Sequence, residues 1–94
     1  MQWFIYILQC SDGSYYVGHT ENVQQRLTTH TNGQGANYTR DRQPLKLVYS
    51  EGHASRTDAI AREKQIKKWS RFKKQALIEA DGVKLHTLAK RRVN

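Results

Sequence analysis

Residues 3–18, WFIYILQCSDGSYYVG, decide the fold predicted for this chain. The segment 3–8 is rich in β-branched and aromatic side chains and has no helical period, which favours a strand. Residues 11–14, SDGS, are a turn signal, and residues 15–17, YYV, return to the composition of a strand. The stretch therefore predicts a β-hairpin at the start of the fold.

The length of the hairpin loop determines which tyrosines share a face of the sheet. With a two-residue loop, Tyr6 and Tyr16 would point to opposite faces, because side chains alternate along a strand. With a three-residue loop that ends on a left-handed Gly13, Tyr6 lies opposite Gly18 and both tyrosines lie on one face. We favour the second register because Gly13 stands where that loop needs a positive φ.

After the hairpin, the sequence predicts one more strand and three helices. A glycine-punctuated polar segment, 32–37, separates the first helix from the third strand. The predicted elements are a helix capped by Asn22 over about 23–31, a strand at 45–49, a helix after the capping box 55–58 that ends near Trp69, and a helix capped by Ser70. The order β-β-α-β-α-α predicts an α+β fold, an α/β sandwich in which a small three-stranded antiparallel sheet is flanked by helices.

The length and the charge of the chain limit the functions it can have. The chain has 94 residues, enough for one domain and too few for a two-domain enzyme. We expect the domain to span 1–80 and a basic C-terminal tail to follow at 81–94. Sixteen Lys and Arg against eight Asp and Glu give a formal net charge of +8. A polyanion is the expected partner, since basic surfaces concentrate phosphates, and simple solubility is the alternative explanation of the charge.

Cysteine usage and hydropathy indicate the compartment. The single cysteine, Cys10, cannot close an internal disulfide, and with four scattered histidines it does not form a structural zinc site. The longest apolar stretch, 3–8, is far too short to span a bilayer. We therefore expect a protein of the reducing cytoplasm with no membrane partner.

The second predicted helix carries a carboxylate where its pattern calls for an apolar residue. Glu63 lies three residues after Ile60 and three before Ile66, on the stripe that faces the sheet. A lone carboxylate there is costly unless it is paired or binds a metal. The alternative is a border glutamate that reaches solvent or bonds a neighbouring arginine.

On the first predicted helix, Arg26 and His30 are spaced i to i+4 and share a face. Together they would present a fixed cation and a titratable imidazole toward the hairpin. The alternatives are a solvated arginine and a surface histidine near the helix end.

Half of the Lys and Arg residues are concentrated between positions 56 and 74. They are Arg56, Arg62, Lys64, Lys67, Lys68, Arg71, Lys73 and Lys74. Two acids, Asp58 and Glu63, lie among them, so we expect an external anion to neutralise this surface. A solvated helix surface is the alternative.

In their order and spacing, several of these residues resemble the GIY-YIG nuclease domain, and in particular its small, stand-alone bacterial members. Residues 4–6, FIY, are similar to the first triplet and residues 16–18, YVG, to the second, and Arg26, His30 and Glu63 follow at the family's positions. The similarity covers about residues 3–79, through the further segments 33–40 (GQGANYTR), 47–49 (LVY) and 66–71 (IKKWSR). The first glycine of the family triplet is replaced by phenylalanine, at a strand position away from the chemistry.

The resemblance implies a metal-dependent endonuclease that hydrolyses DNA phosphodiester bonds, with structure-selective cleavage in DNA repair or recombination as a further implication. One Mg²⁺ or Mn²⁺ would be held by Glu63, since a single carboxylate suffices when phosphate oxygens and waters fill the remaining positions. Arg26 would stabilise the pentacovalent phosphate, whose developing charge needs nearby cations.

The two tyrosines would flank the attacking water. One of Tyr6 and Tyr16 would be the base, its pKa lowered by the metal and the arginine, and the other would orient the water; the sequence leaves open which is which. His30 would orient a tyrosine or assist proton transfer.

The same resemblance implies a DNA-binding surface around the site. His19 would contact the scissile phosphate, and the backbone would be held by Tyr38, Arg40, Lys67, Lys68 and Arg71. Such contacts give salt-sensitive affinity with little reading of bases. Branched and single-stranded DNA are among the expected substrates.

The chain departs from the larger family members in one respect. They carry an asparagine on the helix after the glutamate, whereas the nearest amide here is Gln75. A non-catalytic nucleic-acid-binding module with the same fold and basic surface is therefore the alternative function. An interaction protein with no affinity for nucleic acid is a third.

Overall fold

The computed structural model describes residues 2–80, and the expected tail at 81–94 lies outside them. In chain order, the elements are β1 (Trp3–Gln9), β2 (Tyr15–Thr20), α1 (Val23–Thr31), α2 (Asn37–Arg40), β3 (Lys46–His53), α3 (Arg56–Lys67) and α4, helical across 71–80. The predicted order β-β-α-β-α-α is confirmed, with one addition, the single turn of α2 in a segment predicted as a loop. Within residues 2–80, no helix is both long enough and apolar enough to cross a membrane.

The three-residue hairpin loop is confirmed. Gly13 has a φ of +86°, and its N–H donates to the carbonyl oxygen of Cys10 at 2.9 Å. Tyr6 consequently pairs with Gly18, and Tyr6 and Tyr16 lie on the same face of the sheet.

The central strand β1 separates two different environments. The antiparallel sheet has the order β2-β1-β3. On one face of the sheet, Ile5 and Ile7 pack with Ala59 and Ile66 in an apolar core beneath α3. The other face carries Tyr6 toward α1. Hydrophobic burial is therefore concentrated on one side of the sheet, which leaves the other side for polar groups.

The third strand is longer than predicted. It was expected at 45–49, but β3 spans Lys46–His53. Residues 50–53, SEGH, have little strand propensity, yet they pair with residues 3–6 of β1. The free edge of β1 offers backbone hydrogen bonds that these residues would otherwise have to find in water, so pairing overrides local preference.

Each predicted helix cap forms. The capping side chains accept backbone N–H bonds as follows: Asn22 from Gln25 at 2.9 Å, Ser55 from Asp58 at 3.1 Å and Ser70 from Lys73 at 3.1 Å. These bonds set where α1, α3 and α4 begin, and hence which residues of each helix face the sheet.

Candidate active site

A buried chain of hydrogen bonds connects β1 to the segment after α1. Tyr6 Oη lies 3.0 Å from Nε2 of His30, and Nδ1 of His30 lies 2.8 Å from Oγ1 of Thr39. The Thr39 hydroxyl donates to the carbonyl oxygen of Ala36 at 2.9 Å. The side chains of Tyr6, His30 and Thr39 are 3%, 2% and 0% exposed. We name these three residues the buried network; it is almost fully buried, only Tyr6 and His30 retain slight exposure, and its polar atoms are paired.

The bond from Thr39 to Ala36 determines which group donates in each of the other hydrogen bonds of the buried network. Because the Thr39 hydroxyl proton is used on Ala36, the Thr39 oxygen accepts from His30, and Nδ1 carries the His30 proton. Burial, together with the charge of Arg26, lowers the pKa of His30, so the imidazole is neutral at neutral pH. Nε2 is then an acceptor, and Tyr6 donates its hydroxyl proton to it.

The pKa of Tyr6 is raised well above its usual value. Burial is the main cause, the charges of Tyr16 and Glu63 act in the same direction, and Arg26 opposes them. The direction is opposite to the lowered tyrosine pKa expected from the sequence, because desolvation outweighs the arginine. Tyr6 therefore stays protonated unless its proton moves along the bond to His30.

Two glycines allow the buried network to close. A Cβ on Gly18 would lie 2.4 Å from Oη of Tyr6, and a Cβ on Gly35 would lie 2.2 Å from Nδ1 of His30. Neither glycine has a positive φ, so close approach of a ring, rather than backbone conformation, requires glycine at both positions.

Aromatic rings lead from the buried network to the surface. The Tyr16 ring centroid is 5.2 Å from that of His30, and Tyr16 stacks on Tyr38 at 6.1 Å. The guanidinium of Arg42 covers the Tyr38 ring at 3.9 Å. Within residues 2–80 the Tyr16 hydroxyl has no hydrogen-bond partner, so it is available to a ligand.

Two adjoining surface cavities, of about 220 and 240 Å³, continue outward from these rings. We name them the tyrosine groove, formed by Ser14, Tyr15, Tyr16, Val17, Tyr38, Lys67, Arg71 and Lys74. The Arg71 guanidinium lies 5.0 Å from the Tyr15 ring and donates to the carbonyl oxygen of Gly13. The groove is lined by both cations and aromatic rings, a combination suited to a nucleic-acid strand.

Glu63 lies on α3 beside the edge strand β2, and its side chain is 14% exposed. Its Oε1 is hydrogen-bonded to Nδ1 of His19, and its Oε2 lies 2.6 Å from Nζ of Lys67. Burial alone would raise the pKa of Glu63, but the bonds and charges of Lys67 and His19 outweigh burial and hold that pKa below its ordinary value. Glu63 is thus a carboxylate at neutral pH, and we name the three residues the Glu63 cluster.

The buried network and the Glu63 cluster meet around the edge of β2. Tyr6 lies on one face of the sheet and His19 on the other, with Gly18, which has no side chain, at the edge beside them. The charges of Arg26 and Glu63 both act on the pKa of Tyr6. The fold therefore brings to this edge the five residues expected to do the chemistry, Tyr6, Tyr16, Arg26, His30 and Glu63.

A third feature opens beside the Glu63 cluster. Arg26 is exposed on α1 and lines a cavity of about 520 Å³ with His19, Trp3 and Arg56, which we name the Trp3 cavity. The ring centroids of Trp3 and His19 are 5.8 Å apart, and the Arg56 guanidinium lies 5.6 Å from the Trp3 ring. This cavity and the tyrosine groove thus lie near the same edge of the sheet.

Two of the expected DNA contacts lie outside these cavities. Arg40 is exposed at the end of α2, and Lys68 is exposed just after α3. Neither side chain forms an ion pair within the described part of the chain. They extend the positive surface without entering the site.

Among the expected site residues, Glu63 is the carboxylate and therefore the candidate ligand for a metal ion. Residues 2–80 contain no group of three or more His, Cys, Asp or Glu that could hold one. Mg²⁺ needs less, because waters and substrate phosphates complete its coordination around one or two carboxylates. Glu63 is ionised, and Lys67, which holds one of its oxygens, is half exposed on a flexible stem. Gln75 bonds Glu79 at 3.2 Å instead of joining this cluster.

Comparison with protein-family models matches residues 2–76 of the chain to the GIY-YIG catalytic domain. The chain therefore belongs to the GIY-YIG family, as its two triplets predicted. This is a nuclease family whose members bind nucleic acid and generally use divalent metals.

Within that family, the chain is similar to the UPF0213 proteins of bacteria. One from Bacillus pumilus is 46% identical over 76 residues, which cover 81% of this chain and 78% of that protein. One from Staphylococcus saprophyticus is 47% identical over 75 residues, which cover 80% and 92%. The solution NMR structure of a UPF0213 protein from Bacillus halodurans aligns with a TM-score of 0.59 at 39% identity and covers 96% of both chains.

Sequence reasoning missed the residues that hold the expected site residues in place. Thr39 and Gly35 hold His30, but nothing in the sequence marks a threonine or a glycine as the neighbour of a distant ring. The contact of Arg42 with Tyr38 could have been predicted from the sequence, because the two residues are spaced i to i+4, which brings side chains together on a helical turn.

Proposed function

We propose that this chain is a metal-dependent endonuclease that hydrolyses DNA phosphodiester bonds at the edge of β2. One observation carries the proposal: the proton order in the buried network, where the phenol of Tyr6 has a neutral imidazole as its acceptor. A purely structural tyrosine needs only a partner for its hydroxyl. Here the partner is a histidine kept neutral by burial and a nearby arginine, which is the state a proton acceptor requires.

Glu63 would hold the ion, Mg²⁺ or Mn²⁺, with waters and phosphate oxygens as the remaining ligands. When bound, the ion would supply positive charge at the phosphate and lower the pKa of its water. Lys67 would then exchange the Glu63 carboxylate for a phosphate, because its side chain is 50% exposed and also lines the tyrosine groove.

Tyr6 would take a proton from the attacking water while its own proton passes to Nε2 of His30. His30 then carries a proton on both nitrogens, and its Nδ1–H continues to donate to Oγ1 of Thr39. A bond forms between the water oxygen and phosphorus as the bond to the leaving oxygen breaks, and the leaving oxygen takes a proton from solvent. Tyr16, whose hydroxyl has no partner within residues 2–80, would orient the water, so we assign the base to Tyr6 and the orienting role to Tyr16.

Two further side chains would act on the phosphate. Arg26 supplies a fixed positive charge close enough to act on Tyr6, and in the transition state that charge would stabilise the pentacovalent phosphate. His19 is bonded to Glu63, so it would orient the carboxylate as well as contact the phosphate.

The surface around the site would bind the rest of the substrate. Backbone phosphates would contact Tyr38, Arg40, Lys67, Lys68 and Arg71. Tyr38 is exposed and stacks on the half-buried Tyr16, and such a ring pair suits unpaired bases, so we propose branched or single-stranded DNA as substrate and repair or recombination as the setting. The free Cys10 agrees with action in the reducing cytoplasm.

The test is cleavage of branched, single-stranded and duplex DNA with Mg²⁺ or Mn²⁺. We expect metal-dependent cutting that falls by about 10²-fold or more in Tyr6→Phe and in His30→Gln, the range that general acid–base groups contribute. Tyr49→Phe is the matched control, because Tyr49 packs in the apolar core on the opposite face of the sheet and lines none of the described cavities, and it should cut like the wild type. Wild-type cutting by Tyr6→Phe would remove Tyr6 as the base.

A second function is favoured by one observation, the bonding of both Glu63 oxygens to cation-forming side chains. A carboxylate satisfied in this way could serve structure alone, in a non-catalytic module that binds nucleic acid. Salt-dependent DNA binding without metal-dependent cutting of any substrate form would establish that module in place of the nuclease.

A further inference from the structure

The Trp3 cavity includes two residues, Trp3 and Arg56, that the proposed chemistry does not use. Its volume of about 520 Å³ is roughly twice that of either cavity of the tyrosine groove. That volume lies within the range of about 300–1,000 Å³ typical of small-molecule sites. It is therefore large enough for a ligand of nucleotide size.

The cavity is joined to the reacting centre by two shared residues. His19 lines it and bonds Glu63, and Arg26 lines it and acts on the pKa of Tyr6. Lys67, on the other oxygen of Glu63, lines the tyrosine groove instead. The Glu63 cluster thus lies between two cavities, and a strand cut there has to continue on both sides.

The charge of the cavity favours an anion. Arg26 and Arg56 both line it, both are exposed, and neither forms an ion pair within residues 2–80. Glu21 is the one acid in the lining. Guanidinium groups that line one cavity without ion-pair partners among the described residues are usual recognition elements for phosphate.

The cavity also offers an aromatic surface. Trp3 is partly buried and packs against the core cluster, so its ring is held in a fixed position. Arg56 lies over that ring, 5.6 Å from its centroid. A rigid indole ring next to cationic groups suits a base with its attached phosphate better than it suits a free phosphate or an acidic peptide.

We propose that the Trp3 cavity binds the nucleotide adjoining the cleaved bond, on the side opposite the tyrosine groove. Its base lies against Trp3 and its phosphate between Arg26 and Arg56. The inference rests on the proposed function, because it takes the Glu63 cluster as the point of cleavage. It makes the strand path continuous, from the tyrosine groove past Glu63 to Trp3.

Tryptophan fluorescence tests this placement without any cleavage. The chain has two tryptophans, so Trp69→Phe leaves Trp3 as the reporter and Trp3→Phe leaves Trp69. Each variant is titrated with single-stranded oligothymidylate in the presence of EDTA. We expect saturable quenching of Trp3 and none of Trp69, which lies beneath Arg62 and Lys73 instead of in a cavity with His19. Quenching of Trp69 alone, or no binding, would overturn the proposal.

A charge variant gives a second measurement that does not depend on replacing a core side chain. Arg56→Gln should weaken oligothymidylate binding about five- to tenfold, the loss expected for one arginine–phosphate contact. Lys64→Gln removes the same charge from the same helix, outside the described cavities, and should weaken binding less than twofold. Equal losses in the two variants would mean a general charge effect and would refute the subsite.

Wild-type cleavage measured in parallel separates the two claims. Quenching of Trp3 without any metal-dependent cutting keeps the nucleotide subsite and rejects the nuclease. Cutting without quenching of Trp3 keeps the nuclease and rejects the subsite.

Discussion

Two glutamates of this molecule have nearly the same chemical partners and very different surroundings. Glu51 on β3 bonds His53 at 2.6 Å and Arg62 at 2.8 Å, and Glu63 on α3 bonds His19 and Lys67. In both glutamates, burial raises the pKa of the carboxyl group, but the bonded partners together lower that pKa by more, so the net shift is downward. A histidine and a cation around a lowered carboxylate are therefore not enough to mark a site.

The cation makes the difference between the two. Arg62 holds Glu51 through its planar fork, bonds Gln65 at 2.7 Å and lies over the Trp69 ring, and Glu51 also accepts from Tyr49 at 2.5 Å. Lys67 is half exposed, a single flexible ammonium at the border of a groove. Glu51 is saturated and fixes α3 on β3, whereas one oxygen of Glu63 can be released to a ligand.

The largest expected difference between the two glutamates is in the activity of their glutamine variants. Glu63→Gln should reduce metal-dependent DNA cleavage by about 10³-fold, because the amide cannot hold the ion, while it lowers the free energy of unfolding by less than about 1 kcal/mol. Cleavage rates and urea unfolding check the two parts. Glu51→Gln is the matched control, and an equal loss of activity there would abolish the distinction.

The second effect should separate them by stability. Glu51→Gln should lower the free energy of unfolding by about 1.5–3 kcal/mol, because it leaves the two-bond guanidinium of Arg62 and the hydroxyl of Tyr49 with a neutral partner. Urea unfolding followed by circular dichroism measures it. A loss of unfolding free energy no larger than that of Glu63→Gln would show that the two bonds from Arg62 do not add to stability.

A smaller effect tests whether Lys67 is exchangeable. Lys67→Gln should raise the affinity of the protein for Mn²⁺ about fivefold in the absence of DNA, since the metal no longer competes with an ammonium for Glu63. Isothermal titration with Mn²⁺ measures this. Lys64→Gln removes an equal charge next to Glu63 without breaking the ion pair. An equal gain in Mn²⁺ affinity in that variant would mean that net charge, and not release of Glu63, explains the gain.

The smallest effect concerns acid. Both carboxyl groups have a folded pKa below the ordinary value of 4.5, so their stabilising contribution is complete above that value and is lost as the pH falls through the folded pKa. Unfolding free energies measured from pH 7 down to acid should therefore fall below about pH 4.5. Glu51→Gln should flatten this decline, and an unchanged acid limb in that variant would contradict the assigned shift.

Local signals in the sequence were sufficient for most of the fold. Gly13 set the hairpin loop and so the shared face of Tyr6 and Tyr16, and Asn22 and Ser55 marked the starts of two helices. These features act within a few residues, where turn geometry and capping bonds decide the structure. Glu63 also stood out from sequence alone, because its position broke an apolar stripe.

Glu51 shows why such reasoning stops where it does. It lies in the part of β3 that the sequence did not predict as a strand, and its partner Arg62 is eleven residues away on another element. Pairing with β1 decides both that residues 50–53 are extended and that Glu51 faces α3. No spacing rule links residues that meet only after a sheet has formed.

The sequence by itself determined the order of elements, the hairpin register, the helix starts and the family. It also marked Glu63 as a carboxylate on an apolar stripe. Each of these inferences rests on turns, caps, periodicity or short motifs. The tertiary structure alone decided that Tyr6 meets His30, that His19 accompanies Glu63, and that the two halves of the site meet at the edge of β2. These are contacts between distant segments, and their geometry exists only once burial of the common core has brought those segments together.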